Sequence, residues 1–178
     1  MSDLDSKKVL MVVAQEGFRD EEFFEPREIF EDAGLSITIA SKTTNEATGA
    51  LGRNVKPDIS IDNVIIADYD AIVISGGPGS RKLLWPDKRL QKLVADAFEQ
   101  EKVVAAICVS PVVLARAGVL EDKKATVFKD PESIRELEKG GATYEDMDVI
   151  VTDNIVTGRD PACAEKFGEA VVETLKKW

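Results

Sequence analysis

The most reactive side chain of this sequence stands where an apolar run gives way to a helical pattern. The run VVAAI (103–107) ends at Cys108, and VVLARAG (112–118) follows after a short corner. A tight strand-to-helix turn exposes a side chain. The helix beyond it offers free N–H groups and a positive dipole end, both of which favour a thiolate. The N–H of Val109 would face an oxyanion formed by attack of Cys108. The plainer alternative is core packing, since free cysteine is among the most buried residue types.

A second group with chemical potential is the acid run of GFRDEEFFEP: Asp20, Glu21 and Glu22. Acids favour the first turn of a helix, so a solvated helix start accounts for Asp20 and Glu21. A partly buried glutamic acid resists ionising. A carboxyl that kept its proton beside a thiolate would lower the thiol's pKa and could serve as general acid or base. SGGPGS (75–80) lacks the Lys and Ser/Thr placement of a phosphate-binding loop and reads as a turn. Histidine is absent from all 178 residues, so no Cys–His or Ser–His dyad can form within the chain. The commonest zinc ligand is missing for the same reason. The acids of YEDMDV (144–149) show no metal-ligand spacing.

These residues need a scaffold, and the apolar periodicity supplies one. KKVLMVVA (7–14) fits a strand buried on both faces. EEFFEPREIFEDAG (21–34) reads as a helix ended by Gly34, with Pro26 either in its first turn or kinking it. LSITIAS (35–41) is a strand, residues 42–66 are an excursion of short strands, and DAIVISGG (70–77) is a central strand running into a glycine loop. RLQKLVADAFEQEK (89–102) is an amphipathic helix, followed by VVAAIC and a helix over about 109–117. After a polar stretch, DVIVTDNIVTG (148–158) is a strand pair around Asp153-Asn154. The last helix takes Asp160 as N-cap and Pro161 as its first residue, with Cys163 structural in its first turn. Alternating strands and helices imply an α/β protein, a mostly parallel sheet with helices on both faces. Sites in such folds lie beyond the carboxyl ends of the strands, where QEGFRDEE, SGGPGS and CVSP all fall.

Bulk properties bound the partners. A length of 178 residues with no repeat or linker suits one domain, 1–178. No apolar stretch approaches the roughly 18–20 residues of a membrane span. A start without a signal-peptide pattern and two distant cysteines suit the reducing cytoplasm. The net charge of −10 argues against a nucleic-acid partner, which requires clustered Lys and Arg.

AAICVSPVVLARAGVL resembles the nucleophile segment of the ThiJ/PfpI superfamily, whose members typically read A-I-C-x-G-P there. GFRDEEFFEP, VISGGPGS and VTGRDPACAEKF are similar to three further family segments, in the same order. The resemblance implies a flavodoxin-like fold of the class I glutamine amidotransferase type, with a nucleophile elbow at Cys108. Aligning the family's Gly-x-x-x-x-Glu implies that Glu22 approaches and hydrogen-bonds to Cys108. In the glycine loop, Gly77 is read as bringing its N–H near Cys108, to form with Val109 a two-donor oxyanion hole. Arg53 and Arg159 match family arginines near the pocket mouth, where they could hold a carboxylate or phosphate. Ser110 stands where glycine is usual and could add a hydroxyl near the site. Val109 and Phe128 occupy positions where relatives carry histidine. The resemblance also implies a homodimer, with the segment around Arg53 near the subunit contact.

Three activities compete. The first is a cofactor-independent glyoxalase or deglycase acting on methylglyoxal-like α-oxoaldehydes, or on their early protein adducts, through Cys108 and Glu22. The second is a redox sensor or protective protein whose low-pKa Cys108 is oxidised. The third is a cysteine peptidase or amidase, ranked lowest because the chain has no imidazole base.

Overall fold

Four residues in a row without a polar side chain, Val9 to Val12, form the centre of the molecule, and none has any accessible surface. The computed structural model describes residues 4–178. Strand β1 is Lys8–Val12, and β2 (Glu16–Phe18) leads directly into α1 (Asp20–Asp32). The excursion after β3 (Ser36–Ser41) contains β4 (Ala47–Gly49), β5 (Asn54–Val55) and β6 (Ile59–Ser60). β7 (Ala71–Ile74) is followed by α2 (Pro78–Leu83), α3 (Lys88–Glu99) and β8 (Val103–Ile107). Beyond Cys108 come α4 (Pro111–Arg116), β9 (Lys124–Ala125), α5 (Pro131–Lys139) and β10 (Thr143–Tyr144). The antiparallel pair β11 (Val149–Thr152) and β12 (Ile155–Gly158) precedes the last helix, α6 (Ala164–Leu175).

The main sheet has seven strands in the order β11-β12-β8-β7-β1-β3-β6. Every pairing but β11–β12 is parallel. Helices α1 and α6 pack together on one face, and α3 and α4 on the other. This is the flavodoxin-like α/β architecture. It explains why the inner strands are apolar on both sides rather than alternating. Parallel strands also point their carboxyl ends the same way, so the loops after β1, β7 and β8 converge.

Several local expectations are corrected. Pro26 is the seventh residue of the thirteen-residue α1, beyond its first turn. A proline there leaves the carbonyl four residues back without its helical donor. That carbonyl is Glu22 O, and it accepts from the buried Ser75 Oγ at 3.1 Å. The sheet thus satisfies what the helix cannot. SGGPGS does not remain a turn: Pro78 opens α2. The polar stretch after α4 contains α5, whose N-cap Asp130 accepts from Ser133 N. Asp160 does not cap the last helix with its side chain; its carboxylate meets Arg159 Nε at 3.0 Å. The chain enters α6 through a 3-10 turn, Pro161–Cys163, in which Cys163 is buried.

The Pro26–Ser75 arrangement has a measurable consequence. Ser75→Ala should destabilise the protein by about 1–3 kcal/mol, the cost of a buried acceptor left unpaired. In a Pro26→Ala background residue 26 regains its N–H, and the same substitution should cost distinctly less. Denaturant unfolding of the four proteins in this cycle checks it, and equal costs in both backgrounds would refute the assignment.

Candidate active site

Three loops bring the reactive groups together. Cys108 follows β8 with φ of +65°, a left-handed conformation that non-glycine residues avoid. Such strain, of order 1–3 kcal/mol, persists only where the surroundings over-determine it. Here they do. Cys108 N donates to Gly158 O at 2.9 Å, Phe128 N donates to Cys108 O at 2.7 Å, and Trp85 Nε1 donates to Val109 O at 2.8 Å. Ser110 Oγ donates to Ser75 O at 2.6 Å, and since that uses its one proton, Ser80 Oγ is the donor in the 2.6 Å Ser80–Ser110 contact. The hydroxyl of Ser110 therefore clamps the nucleophile turn to the glycine loop. Ser110 is fully buried and does not line the cleft, which corrects the expectation that it contacts substrate.

The glycine loop is shaped by close approach. A Cβ on Gly76 would lie 2.7 Å from Cys108 Cβ, from Glu22 Oε1 and from Ile107 O. Gly77 adopts φ of +103°, and a Cβ there would strike Arg19 N and Gly17 O. With this backbone, the N–H groups of Gly77 and Val109 lie near the Cys108 sulfur and favour its anionic form.

Glu22 lies in the first turn of α1 with no accessible surface. Its Oε1 accepts from Gly76 N at 3.0 Å. It also lies beside Cys108, and each of the two groups shifts the ionisation of the other. Its Oε2 is buried with no hydrogen-bond partner among the described residues. Burial pushes the Glu22 carboxyl up to about 8, against the pull of the Cys108 and Gly76 hydrogen bonds and of Arg19. Burial also pushes the Cys108 thiol up, and a charged Glu22 pushes it further; the Gly77 and Val109 N–H groups oppose this. The raised carboxyl agrees with the expectation that Glu22 keeps its proton at neutrality. Near neutrality the pair therefore holds at least one proton, and a Glu22 carboxylate is placed to accept the thiol's proton.

The sulfur opens onto a cleft of about 240 Å³. Gly77, Pro78 and Val109 form its floor with Cys108, and Arg19, Arg81, Phe128 and Pro161 complete its walls. A wider depression of about 550 Å³ between Lys42 and Lys88 is lined by neither Cys108 nor Glu22. Phe128 thus reaches the cleft. Arg53 does not: its guanidinium stacks 3.5 Å above the Phe24 ring, and its N–H donates to Asp20. Arg159 does not either, being held by Asp146, Asp148 and Asp160. Asp20 is no solvated helix acid; it is buried and accepts from Leu51 N at 2.9 Å and Arg53 N at 3.0 Å. Arg19 and Arg81 went unnoticed in the sequence, although each adjoins a motif that was singled out. Among the described residues no cluster of His, Cys, Asp and Glu could hold a metal ion, and no helix is long and apolar enough to cross a membrane.

A flavodoxin-like sheet with a strained cysteine elbow and a buried glutamate beside it defines a class of α/β proteins. The sequence model of the DJ-1/PfpI family matches residues 7–174, and the chain belongs to that family. An uncharacterized protein of Methanocaldococcus jannaschii is 47% identical over 175 residues, 98% of this chain and 85% of the relative. Bacillus subtilis YraA, named for a cysteine protease activity, is 38% identical over 96% of this chain and 99% of its own length. A Pyrococcus horikoshii protein named as a deglycase is 32% identical over 95% and 99%. Among solved structures, a ThiJ/PfpI domain protein from Brachyspira murdochii superposes with a TM-score of 0.92 at 33% identity, covering 96% of this chain and 97% of that one.

Two outcomes test the geometry. Gly77→Ala should cost at least about 2 kcal/mol, because its Cβ meets backbone that cannot move aside and its φ is left-handed; near-wild-type stability in denaturant would contradict this. Glu22 is the second test. Its pKa rises from 4.5 unfolded to about 8 folded. The folded state therefore holds the extra proton, and stability falls as pH rises through that window. Glu22→Gln should flatten this slope and gain a few kcal/mol over wild type at pH 8, with little gain at pH 4. Parallel stability–pH curves for the two proteins would show that the carboxyl is not buried as described.

Proposed function

We propose that the protein converts small α-oxoaldehydes, or their early adducts on proteins, to hydroxy acids without a cofactor. The observation that carries this reading is the buried Glu22 against Cys108, at the floor of a cleft, with two N–H donors converging on the sulfur. The deglycase name of the Pyrococcus relative supports it. The Cys108 sulfur attacks the aldehyde carbon while Glu22 accepts the thiol proton. The oxyanion is held by the Gly77 and Val109 N–H groups and then takes that proton from Glu22, giving a hemithioacetal. Glu22 next moves the proton of the former aldehyde carbon to the neighbouring carbon, while the hydroxyl proton passes to the neighbouring oxygen, leaving a thioester. Water cleaves the thioester, releasing the hydroxy acid and the thiol. The sum is one oxoaldehyde and one water to one hydroxy acid.

A carboxyl with a pKa near the working pH suits this shuttle, since it both takes and gives a proton at little cost. The oxidation-sensor reading is less well supported, because burial disfavours the thiolate that peroxide attacks. A peptidase like that in the name of YraA would need a base strong enough to serve an amide leaving group, and the sequence contains no histidine.

Purified protein given methylglyoxal should form lactate. Cys108→Ser should abolish this, and Glu22→Gln should lower kcat by about 10²–10⁴-fold. Because Glu22 must be ionised to take the thiol proton, kcat/KM should rise with pH through about 8. Lactate formation that survives Cys108→Ser would remove the mechanism.

A further inference from the structure

The reactive cleft has a cationic wall that methylglyoxal, a neutral molecule, does not use. Arg19 and Arg81 both line it, in a chain whose net charge is −10. The two differ in availability. Arg81 is tied at both ends: Nη1 donates to Glu132 at 2.6 Å, Nη2 donates to Asp130 at 2.9 Å, and the guanidinium lies over the Trp85 ring. Arg19 has one acidic partner, Glu21, which accepts from Nε at 2.5 Å. Its side chain is 38% exposed, and its charge is felt at Glu22 and by Cys108. The backbone beneath it is fixed, since Arg19 N donates to Gly76 O at 3.0 Å. Arg19 thus presents the outer edge of a guanidinium, the geometry that pairs with a carboxylate or phosphate, from a rigid base beside the nucleophile.

The size of the cleft agrees. A volume of about 240 Å³ holds about eight water-sized groups at ~30 Å³ each. Methylglyoxal, with roughly five non-hydrogen atoms that pack closer than separate waters, fills only part of this space and leaves room for a short tail ending in a carboxylate.

We propose that Arg19 selects α-oxoaldehydes carrying an anionic tail, a carboxylate or a phosphate, whose reacting end meets Cys108. This rests on the oxoaldehyde reading of the same site. The tail takes no part in bond making: R–CO–CHO and water still give R–CH(OH)–COOH, with R negatively charged throughout. Glu21 competes with the tail for the guanidinium and sets how strongly it is held.

The test compares 4,5-dioxopentanoate with the neutral 2-oxopentanal, following formation of each hydroxy acid. Wild type should favour the anion by about tenfold or more in kcat/KM, mainly through KM, at low salt. Arg19→Gln should bring the ratio toward one, Arg19→Lys should restore part of it, and Glu21→Gln should widen it. Turnover of both compounds with no preference, or with a preference unchanged in Arg19→Gln, overturns the anion site and leaves the thiol–carboxyl chemistry standing. Turnover of neither compound removes that chemistry and this inference together.

Discussion

The burial of one carboxyl group beside one thiol is the constraint on which the rest of this structure depends. Glu22 has no accessible surface, and a group so placed is costly unless its neighbours are arranged for it. The arrangement begins with Pro26, which frees the Glu22 carbonyl, and with Ser75, which satisfies it from the end of β7. It continues with Gly76, whose missing side chain lets Cys108 and the Glu22 oxygens approach the same backbone. The Ser80–Ser110–Ser75 chain then fixes the elbow against that loop. Helix, loop and elbow are thereby locked into one unit, and no one of them could move without unpairing a buried polar group in another.

Much of this scaffold was legible in the sequence. The runs at β1, β3, β7, β8 and β12 are apolar enough to be read as strands, and their spacing by helical patterns implies a parallel sheet. Gly34 ends α1 with φ of +88°, as its position suggested. The strand pair turns at Asp153, as Asp-Asn implied. What escaped were short elements and pairings. α2 has six residues, too few to show a period, and its signal was only Pro78 after two glycines. α5 announced itself through Asp130-Pro131 followed by Ile134 and Leu137, a cap and an i, i+3 apolar pair, but its many charges masked it.

Side-chain direction was the harder problem at the site. A hydroxyl after the nucleophile reads the same whether it faces substrate or protein, and Ser110 turned inward because Ser75 O and Ser80 lie there. Asp20, Glu21 and Glu22 are three like residues in sequence, yet the helix sends them to three environments: a buried clamp for the Leu51–Arg53 segment, an ion pair with Arg19, and a buried place beside Cys108. Arginines are equally opaque. Arg53 and Arg159 are held by Phe24 and by three aspartates, whereas Arg19 and Arg81 reach the cleft because the chain turns beneath them.

The absence of histidine gives this electrostatic arrangement its meaning. A cysteine with an imidazole partner can rest as an ion pair, thiolate and imidazolium, each charge stabilising the other. A cysteine with a carboxyl partner cannot, since ionising both would put two negative charges in one buried place. The pair here is stable only while it holds at least one proton, so base and nucleophile must share it. The pair can thus pass one proton between carboxyl and sulfur without ever carrying two negative charges. The two N–H donors serve the same logic, stabilising charge on sulfur and then on the substrate oxygen as it shifts from one to the other.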